Sequence, residues 1–418
     1  MERIVIAGGR PLYGKVRIGG AKNAALPILG ATLLTESPCI LREVPNLTDV
    51  GVMRSILQHL GAKVEVNGDT VTVEAAALTS LTVPEHLMRE MRSSIIVMGA
   101  LLTRFGTVKV SQPGGCDIGS RPIDLHIKGL KELGAEIVEK HGYITATCER
   151  LRGASIHLDF PSVGATQNLM MAATLAEGTT VITNAAKEPE IVDLQNFINS
   201  LGANIKGAGT DTIRIEGVEK LHGTDYTVIP DRIVAGTYLI AGAITGGQVT
   251  VENVIPEHLE SLLAKLREMG VQVDTTGDSV TVRVTQPLKA IDSLRTLPYP
   301  GFPTDLQAPM MALLCVANGT SIVTETVFES RFKHVNELRR MGADIKVNER
   351  TAIIKGVQAL SSANVAATDL RAGAALVLAG LAADGITVVS DVHHIYRGYV
   401  DLDENLRGLN ARIERIGC

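Results

Sequence analysis

Two sets of residues in this 418-residue chain have the types and spacing of a reaction site. The first is Cys116, in the stretch SQPGGCDIGSRPIDLH (Ser111 to His126). A thiol close to Arg121 can be poised as an acid or as a thiolate, and Gly114-Gly115 leave its backbone free to hinge. The stretch reads either as a lid carrying a reactive thiol or as a surface loop with an incidental one. The second set is charged. Lys22-Asn23, Arg92, Ser162-Val163-Gly164, Arg232, Asp305 and Asp369-Leu370-Arg371 stand where apolar helices begin, and Arg121, Asp124, Glu188, Glu190, Arg331 and Arg397 lie in the loops that follow. Helix N-termini attract anions and disfavour Lys and Arg, so cations there fit an anion arriving from outside. Arginine's planar fork matches carboxylate and phosphate. If these segments converge, Lys22, Arg121, Arg331, Arg371 and Arg397 form a cationic basket for a small, highly anionic substrate. Asp305 in PTDLQ and Asp369 in ATDLR also have the form of helix N-caps. His393-His394 read as neighbours on a strand, pointing apart with no carboxylate cluster beside them, so no metal site is expected.

The elements that must position these residues repeat six times. HLGAKVEV, ELGAEIVE, SLGANIKG, EMGVQVDT, RMGADIKV and GLNARIER recur at roughly seventy-residue intervals around Gly61, Gly134, Gly202, Gly270, Gly342 and Asn410. Each marks a helix ending on a left-handed cap, then an alternating strand and a hairpin turn such as Asn67-Gly68. Upstream of each lies a helix rich in Ala, Gly, Leu and Met, apolar on every face, which must be enclosed by other protein. The sixth copy stops before its hairpin closes, and the N-terminal RIVIAGG and KVRIGG resemble the missing strands. The expectation is an α/β chain of six βαβαββ-like repeats in two domains of three. One domain spans 22–229; the other combines 1–21 with 230–418. The cleft between domains is the default site.

Composition excludes several classes. The net charge of −5, the absence of Trp and an aromatic content of 3% argue against nucleic-acid binding. Five scattered cysteines without a CxxC pair suit free thiols in a reducing compartment. No signal-peptide layout and no apolar run of about eighteen residues is present, so a cytoplasmic protein without membrane insertion is expected.

The segments GGAKNAALP, PGGCDIGSRPIDLH, SVGAT, FPTDLQA, TETVFESRF, ATDLRAGAALVLAG and IYRGY resemble the UDP-N-acetylglucosamine enolpyruvyl transferase family, in register from Met1 to about Ile416. The resemblance implies an inside-out α/β barrel in each domain, with the helices buried. It implies enolpyruvyl transfer from phosphoenolpyruvate to the 3-hydroxyl of UDP-N-acetylglucosamine, with release of phosphate and no metal or cofactor. One chain would supply the whole site. Lys22 and Asn23 would hold phosphoenolpyruvate, Arg121 and Arg397 its phosphate, and Arg331 and Arg371 its carboxylate. Asp305 would be the general base, with Asp369 nearby in proton transfer. Arg92, Arg121, Pro122, Ile123, Asp124, Leu125, Ser162, Val163, Gly164 and Val327 would line the sugar-nucleotide pocket. Cys116 would be the acid at the methylene carbon, able to form an adduct and to be alkylated by fosfomycin. Phe160 stands where some branches carry lysine, which puts one nucleotide contact in doubt. Among rivals, the shikimate-3-phosphate enzyme lacks the cysteine lid, and an RNA 3′-phosphate cyclase would be expected to be more basic. A non-catalytic paralogue would lose one of Lys22, Cys116, Asp305 or Arg397, and all four are present.

Overall fold

Each repeat is organised around its apolar helix. The computed structural model describes residues 2–112 and 123–417. In the first repeat the helix Lys22–Ala31 leads to the strand Cys39–Arg42, the helix Thr48–Leu60 and a hairpin of Lys63–Asn67 and Thr70–Glu74. Cys39 pairs antiparallel with Val73 on the second hairpin strand. Asn67 still pairs with Thr70, so the hairpin loop is Gly68-Asp69, one residue later than expected. The same order recurs after the helices Val97–Phe105, Val163–Thr174, Arg232–Ile244 and Gln307–Leu314, whereas after Leu370–Ala382 the hairpin is reduced to the one strand Arg412–Ile416. Every residue from Gln307 to Leu314 and from Arg371 to Leu381 is buried. Helices with no polar face go to the interior, and the strands and amphipathic helices form the shell around them. In the second and fifth repeats the buried helix is entered through a 3-10 turn, Arg92–Ile96 and Thr304–Leu306. Arg92 and Asp305 therefore lie ahead of the α-helix proper.

All six repeat caps are left-handed, with φ of 102° at Gly61, 96° at Gly134, 103° at Gly202, 88° at Gly270, 85° at Gly342 and 75° at Asn410. Asparagine is the side chain that best tolerates this region, which accounts for the one exception to glycine.

The chain divides into two compact units. One holds the residues up to Gly19 and those from Pro230 onward; among the described residues the other runs from Gly20 to Ile229. Among the described residues each contains three small sheets and its own core, around Leu239, Met310 and Leu376 in the first and around Leu29, Met98 and Leu169 in the second. Burying each such side chain contributes about 1.5–3 kcal/mol. The N-terminal strand Arg3–Ala7 completes the sixth repeat, lying between Ile386–Ser390 and Arg412–Ile416. The next strand, Tyr13–Arg17, pairs instead with Gln248–Glu252 of the fourth repeat. Asp225–Thr227, which precedes the fourth repeat, pairs with Cys39–Arg42 of the first. Elsewhere, as with Ser155–His157 and Thr179–Thr183, the corresponding parallel strand belongs to its own repeat. The two strands flanking the unit boundaries have thus exchanged places.

Candidate active site

The densest charge cluster lies in the unit that contains the C-terminal repeats. Asp305 sits on the 3-10 turn ahead of Gln307–Leu314, Arg371 in the first turn of Leu370–Ala382, and Arg331 in the loop after Thr320–Thr324. Arg331 Nη2 donates to Asp305 Oδ1 at 2.7 Å and its Nη1 to Thr304 Oγ1 at 2.8 Å. Arg371 donates to Asp305 Oδ2 from Nη2 at 3.1 Å and from Nε at 3.3 Å. The arginine side chains are 3% and 1% exposed, whereas that of Asp305 is 27% exposed. Two buried cations thus share one accessible carboxylate, with the buried carboxylates of Glu325 and Asp231 close behind them. Arg331 Nε and Arg371 Nη1 are buried and make no hydrogen bond of their own. Burial alone would lower the Arg371 pKa, but the Tyr399 hydroxyl and the carboxylates of Asp305 and Asp231 outweigh it and hold the guanidinium charged.

The two aspartates that resemble caps differ. Asp369 is the N-cap of Leu370–Ala382, its Oδ1 accepting from the amides of Arg371 and Ala372 at 2.9 Å. Asp305 makes no cap and gives both oxygens to arginine.

Glu325 was not singled out from sequence and is buried at the centre of this region. It accepts from Thr296 at 2.8 Å, from Thr304 at 2.9 Å, and from the amides of Val327 and Phe328 at 2.8 and 3.2 Å. It therefore fixes the loop bearing Val327 and, through Thr304, the Arg331 fork. His334 is also buried, and its pKa is pushed down to about 4 by burial, against the pull of Asp369 and reinforced by Arg331. Arg397 ends the 3-10 turn Val392–Arg397. His393 and His394 lie on that turn and not on a strand, and their rings are tilted by 37° with centroids 4.1 Å apart. A helical turn, unlike a strand, leaves adjacent side chains on neighbouring faces.

In the other unit Lys22 opens the helix Lys22–Ala31, with Asn23 half-buried beside it. Lys22 Nζ lies 3.1 Å from Oδ2 of Asp49, and both side chains are under 10% exposed. Asp49, in the first turn of Thr48–Leu60, offsets the cost of an ammonium at a helix N-terminus. An acidic residue in the first turn of this helix recurs in the other repeats, as with Asp124 and Glu190, but its pairing with Lys22 appears only in the fold. Ser162 caps Val163–Thr174 by accepting from Ala165 N at 3.3 Å, which leaves Val163 and Gly164 half-buried in the first turn. Ile123 precedes the helix Asp124–Glu132, where Asp124 is exposed and Leu125 half-buried. Arg92 opens its 3-10 turn. Glu188 precedes the helix Pro189–Ser200, and Glu190 is buried in its first turn. Phe160 is exposed, next to the Lys128–Asp159 ion pair at 3.0 Å. Cys116, Arg121 and Pro122 lie outside the described residues.

Cys39 and Cys315 are free and buried, and burial pushes their thiols up to about 11 and 12; Cys148 is raised in the same direction. Such thiols are poor nucleophiles. Among the described residues no three His, Cys, Asp or Glu side chains group as a metal site, and no helix is long and apolar enough to cross a membrane.

Residues 6–406 match the family model described as EPSP synthase (3-phosphoshikimate 1-carboxyvinyltransferase). The chain is 57% identical over 418 residues to UDP-N-acetylglucosamine 1-carboxyvinyltransferase 2 of Carboxydothermus hydrogenoformans, covering 100% of both chains. It is 56% identical over 416 residues to the enzyme of the same name from Caldanaerobacter subterraneus subsp. tengcongensis, again covering 100% of both. Among solved structures, the enolpyruvyl transferase NikO from Streptomyces tendae superposes with a TM-score of 0.89 at 28% identity, over 99% of this chain and 98% of that one. EPSP synthase from Acinetobacter baumannii superposes with a TM-score of 0.77 at 19% identity over 100% of both, a likeness of fold. The chain therefore belongs to the carboxyvinyltransferases of the EPSP synthase family, in the UDP-N-acetylglucosamine 1-carboxyvinyltransferase branch.

Proposed function

We propose that this protein transfers the enolpyruvyl group of phosphoenolpyruvate to the 3-hydroxyl of UDP-N-acetylglucosamine, releasing phosphate, in the committed step of peptidoglycan synthesis. The reaction takes place in the cytoplasm. The observation that carries this reading is the Arg331–Asp305–Arg371 cluster, in a chain whose full-length relatives bear that activity in their names. Two arginine forks that already hold one accessible carboxylate suit a substrate carboxylate, and the carboxylate between them suits a base.

The chemistry is an addition followed by an elimination. Asp305 takes the proton of the sugar hydroxyl as its oxygen bonds to C2 of phosphoenolpyruvate, and the Cys116 thiol gives a proton to C3. In the resulting tetrahedral intermediate C2 carries both the sugar oxygen and the phosphate. The Cys116 thiolate then takes a C3 proton back, which restores the double bond as the C–O bond to phosphate breaks, and the phosphate leaves with the proton that Asp305 held. Arg331 and Arg371 hold the substrate carboxylate, Lys22, Arg121 and Arg397 the phosphate, and Asn23 assists. Asp369 serves proton transfer. Arg92, Arg121 to Leu125, Ser162 to Gly164 and Val327 receive the sugar nucleotide. A substrate carboxylate competes with Asp305 for the two guanidiniums, so binding it loosens Asp305 and makes it a better base. The base is thereby armed only when phosphoenolpyruvate is in place.

The test is phosphate release from phosphoenolpyruvate with two acceptors offered separately. Release is expected with UDP-N-acetylglucosamine and not with shikimate 3-phosphate; the reverse result would reject the assignment. Incubation with fosfomycin and the sugar nucleotide is expected to add one drug mass, at Cys116.

A further inference from the structure

Three segments assigned above to the sugar-nucleotide pocket converge on one buried polar pair. The helix Val163–Thr174 follows Ser162, the helix Asp124–Glu132 follows Ile123, and Val97–Phe105 continues the turn that Arg92 opens. Asn168, on the first of these, is fully buried. Its Oδ1 accepts the backbone N–H of Gly99 at 2.7 Å, and its Nδ2 lies 3.0 Å from Nδ1 of His126.

The donor directions follow from chemistry. A backbone N–H can only donate, so the amide oxygen must face Gly99 and the amide nitrogen must face the imidazole. His126 Nδ1 is then an acceptor, and the imidazole is neutral with its proton on Nε2. The far edge of the same ring lies against Gly164, where an added Cβ would stand 3.3 Å from Cε1 and Nε2. A Cβ at Gly99 would run into the Asn168 backbone carbonyl, and one at Gly129 would stand 2.5 Å from Leu169 Cδ1. The three helices therefore meet at glycines, and the hydrogen bonds of Asn168 set their register.

We infer that Asn168 and His126 are positioning residues for the sugar-nucleotide pocket, a brace that holds the Ser162–Gly164 turn and the Asp124-Leu125 turn in place through a neutral His126 of fixed tautomer. The inference rests on the proposed function, because it takes those turns as the pocket. A purely structural pair would change stability and all kinetic constants together. A brace confined to this pocket changes the sugar-nucleotide constants selectively.

The experiment compares full-length wild type with His126→Phe, Asn168→Leu and His126→Asn, measuring KM for each substrate, kcat and melting temperature. Phenylalanine keeps the ring without an acceptor, whereas the Asn oxygen can take the place of Nδ1. His126→Phe and Asn168→Leu are expected to raise KM for UDP-N-acetylglucosamine by about tenfold, the worth of one good hydrogen bond. KM for phosphoenolpyruvate and kcat should stay within about twofold, and His126→Asn should restore most of the loss. Equal changes in every constant, or none, would overturn the brace. Nitrogen NMR of His126 in the wild-type protein gives a reading that no unfolded variant can obscure: Nδ1 is expected unprotonated at neutral pH, and a proton found on it refutes the arrangement. If the wild-type protein used shikimate 3-phosphate instead, the pocket reading would fall and the role of the brace with it, although the tautomer would still be observed.

Discussion

Arg331 and Asp305 meet end to end, with Nη2 of the arginine 2.7 Å from Oδ1 of the aspartate, while Arg371 holds the other oxygen at 3.1 Å. A carboxylate paired on both sides is a weak base until something takes its partners. Asp305→Asn is therefore expected to lower kcat by about a hundredfold or more. It removes the internal competitor for both forks, so phosphoenolpyruvate should bind as well as before, or better. Steady-state kinetics with a separate binding titration would check this; a large rise in the phosphoenolpyruvate Kd would contradict it. Arg371→Lys should do the opposite, weakening phosphoenolpyruvate binding because a point charge cannot replace the fork.

The Lys22–Asp49 pair is buried on both sides. Removing one member of a buried ion pair typically costs about 3–5 kcal/mol. Asp49→Asn should thus destabilise the protein by that order, with a lower urea midpoint. Lys22→Met together with Asp49→Leu should recover much of the stability but none of the activity. If Asp49→Asn kept wild-type stability, the pair would not be holding the ammonium in place.

His334 gives the protein an acid-sensitive core. Its pKa falls from the ordinary 6.5 to about 4, and its Nε2 has no hydrogen-bond partner. Between those pH values the unfolded chain carries a proton that the folded chain does not, so stability rises with pH there. The His334 contribution is complete above about pH 6.5 and is lost as the pH falls toward 4. Melting temperature against pH should drop more steeply for wild type than for His334→Gln across that window; parallel curves would rule out this histidine as the source.

The four thiols outside the lid stretch provide a control for cysteine chemistry. Burial holds Cys39 near 11 and Cys315 near 12, so at neutral pH each is almost wholly protonated. Brief alkylation of the native protein with iodoacetamide, followed by peptide mapping, should leave both unmodified. Rapid labelling of either would mean that its core opens readily in solution.

What the sequence made legible followed periodicity. The six left-handed caps, the buried helices and the hairpins are local patterns, each written in a few adjacent residues such as Leu60-Gly61-Ala62. The exchange of Tyr13–Arg17 with Asp225–Thr227 is not local, because a strand's composition does not name its partner across two hundred residues. The candidate site divides in the same way. Arg331, Arg371 and Asp305 stand out by recurrence at helix starts and following loops. Asp49, Glu325 and Asn168 each stand beside another polar residue, Thr48, Thr324 and Gln167, and nothing local sets them apart; their roles arise only from what the fold brings against them. Asp369 shows the remaining ambiguity, since a cap and a catalytic carboxylate look alike in sequence.

Glu325 makes the last of these points testable. Its Oε1 accepts from Thr296 and from the amides of Val327 and Phe328, and its Oε2 accepts from Thr304, whose oxygen in turn accepts from Arg331. In Glu325→Gln the oxygen can still serve the Val327 loop, but the new amide group would donate toward a Thr304 oxygen already receiving the Arg331 proton. Thr304 would have to turn its own hydroxyl elsewhere, and the fork would shift with it. The expected result is a phosphoenolpyruvate KM raised by about five- to tenfold, with the UDP-N-acetylglucosamine KM nearly unchanged. Glu325→Ala should raise both, because the Val327 and Phe328 amides then also lose their acceptor. A Gln variant that moved only the sugar-nucleotide KM would show that Glu325 acts through the loop alone and that the link through Thr304 to Arg331 carries no energy.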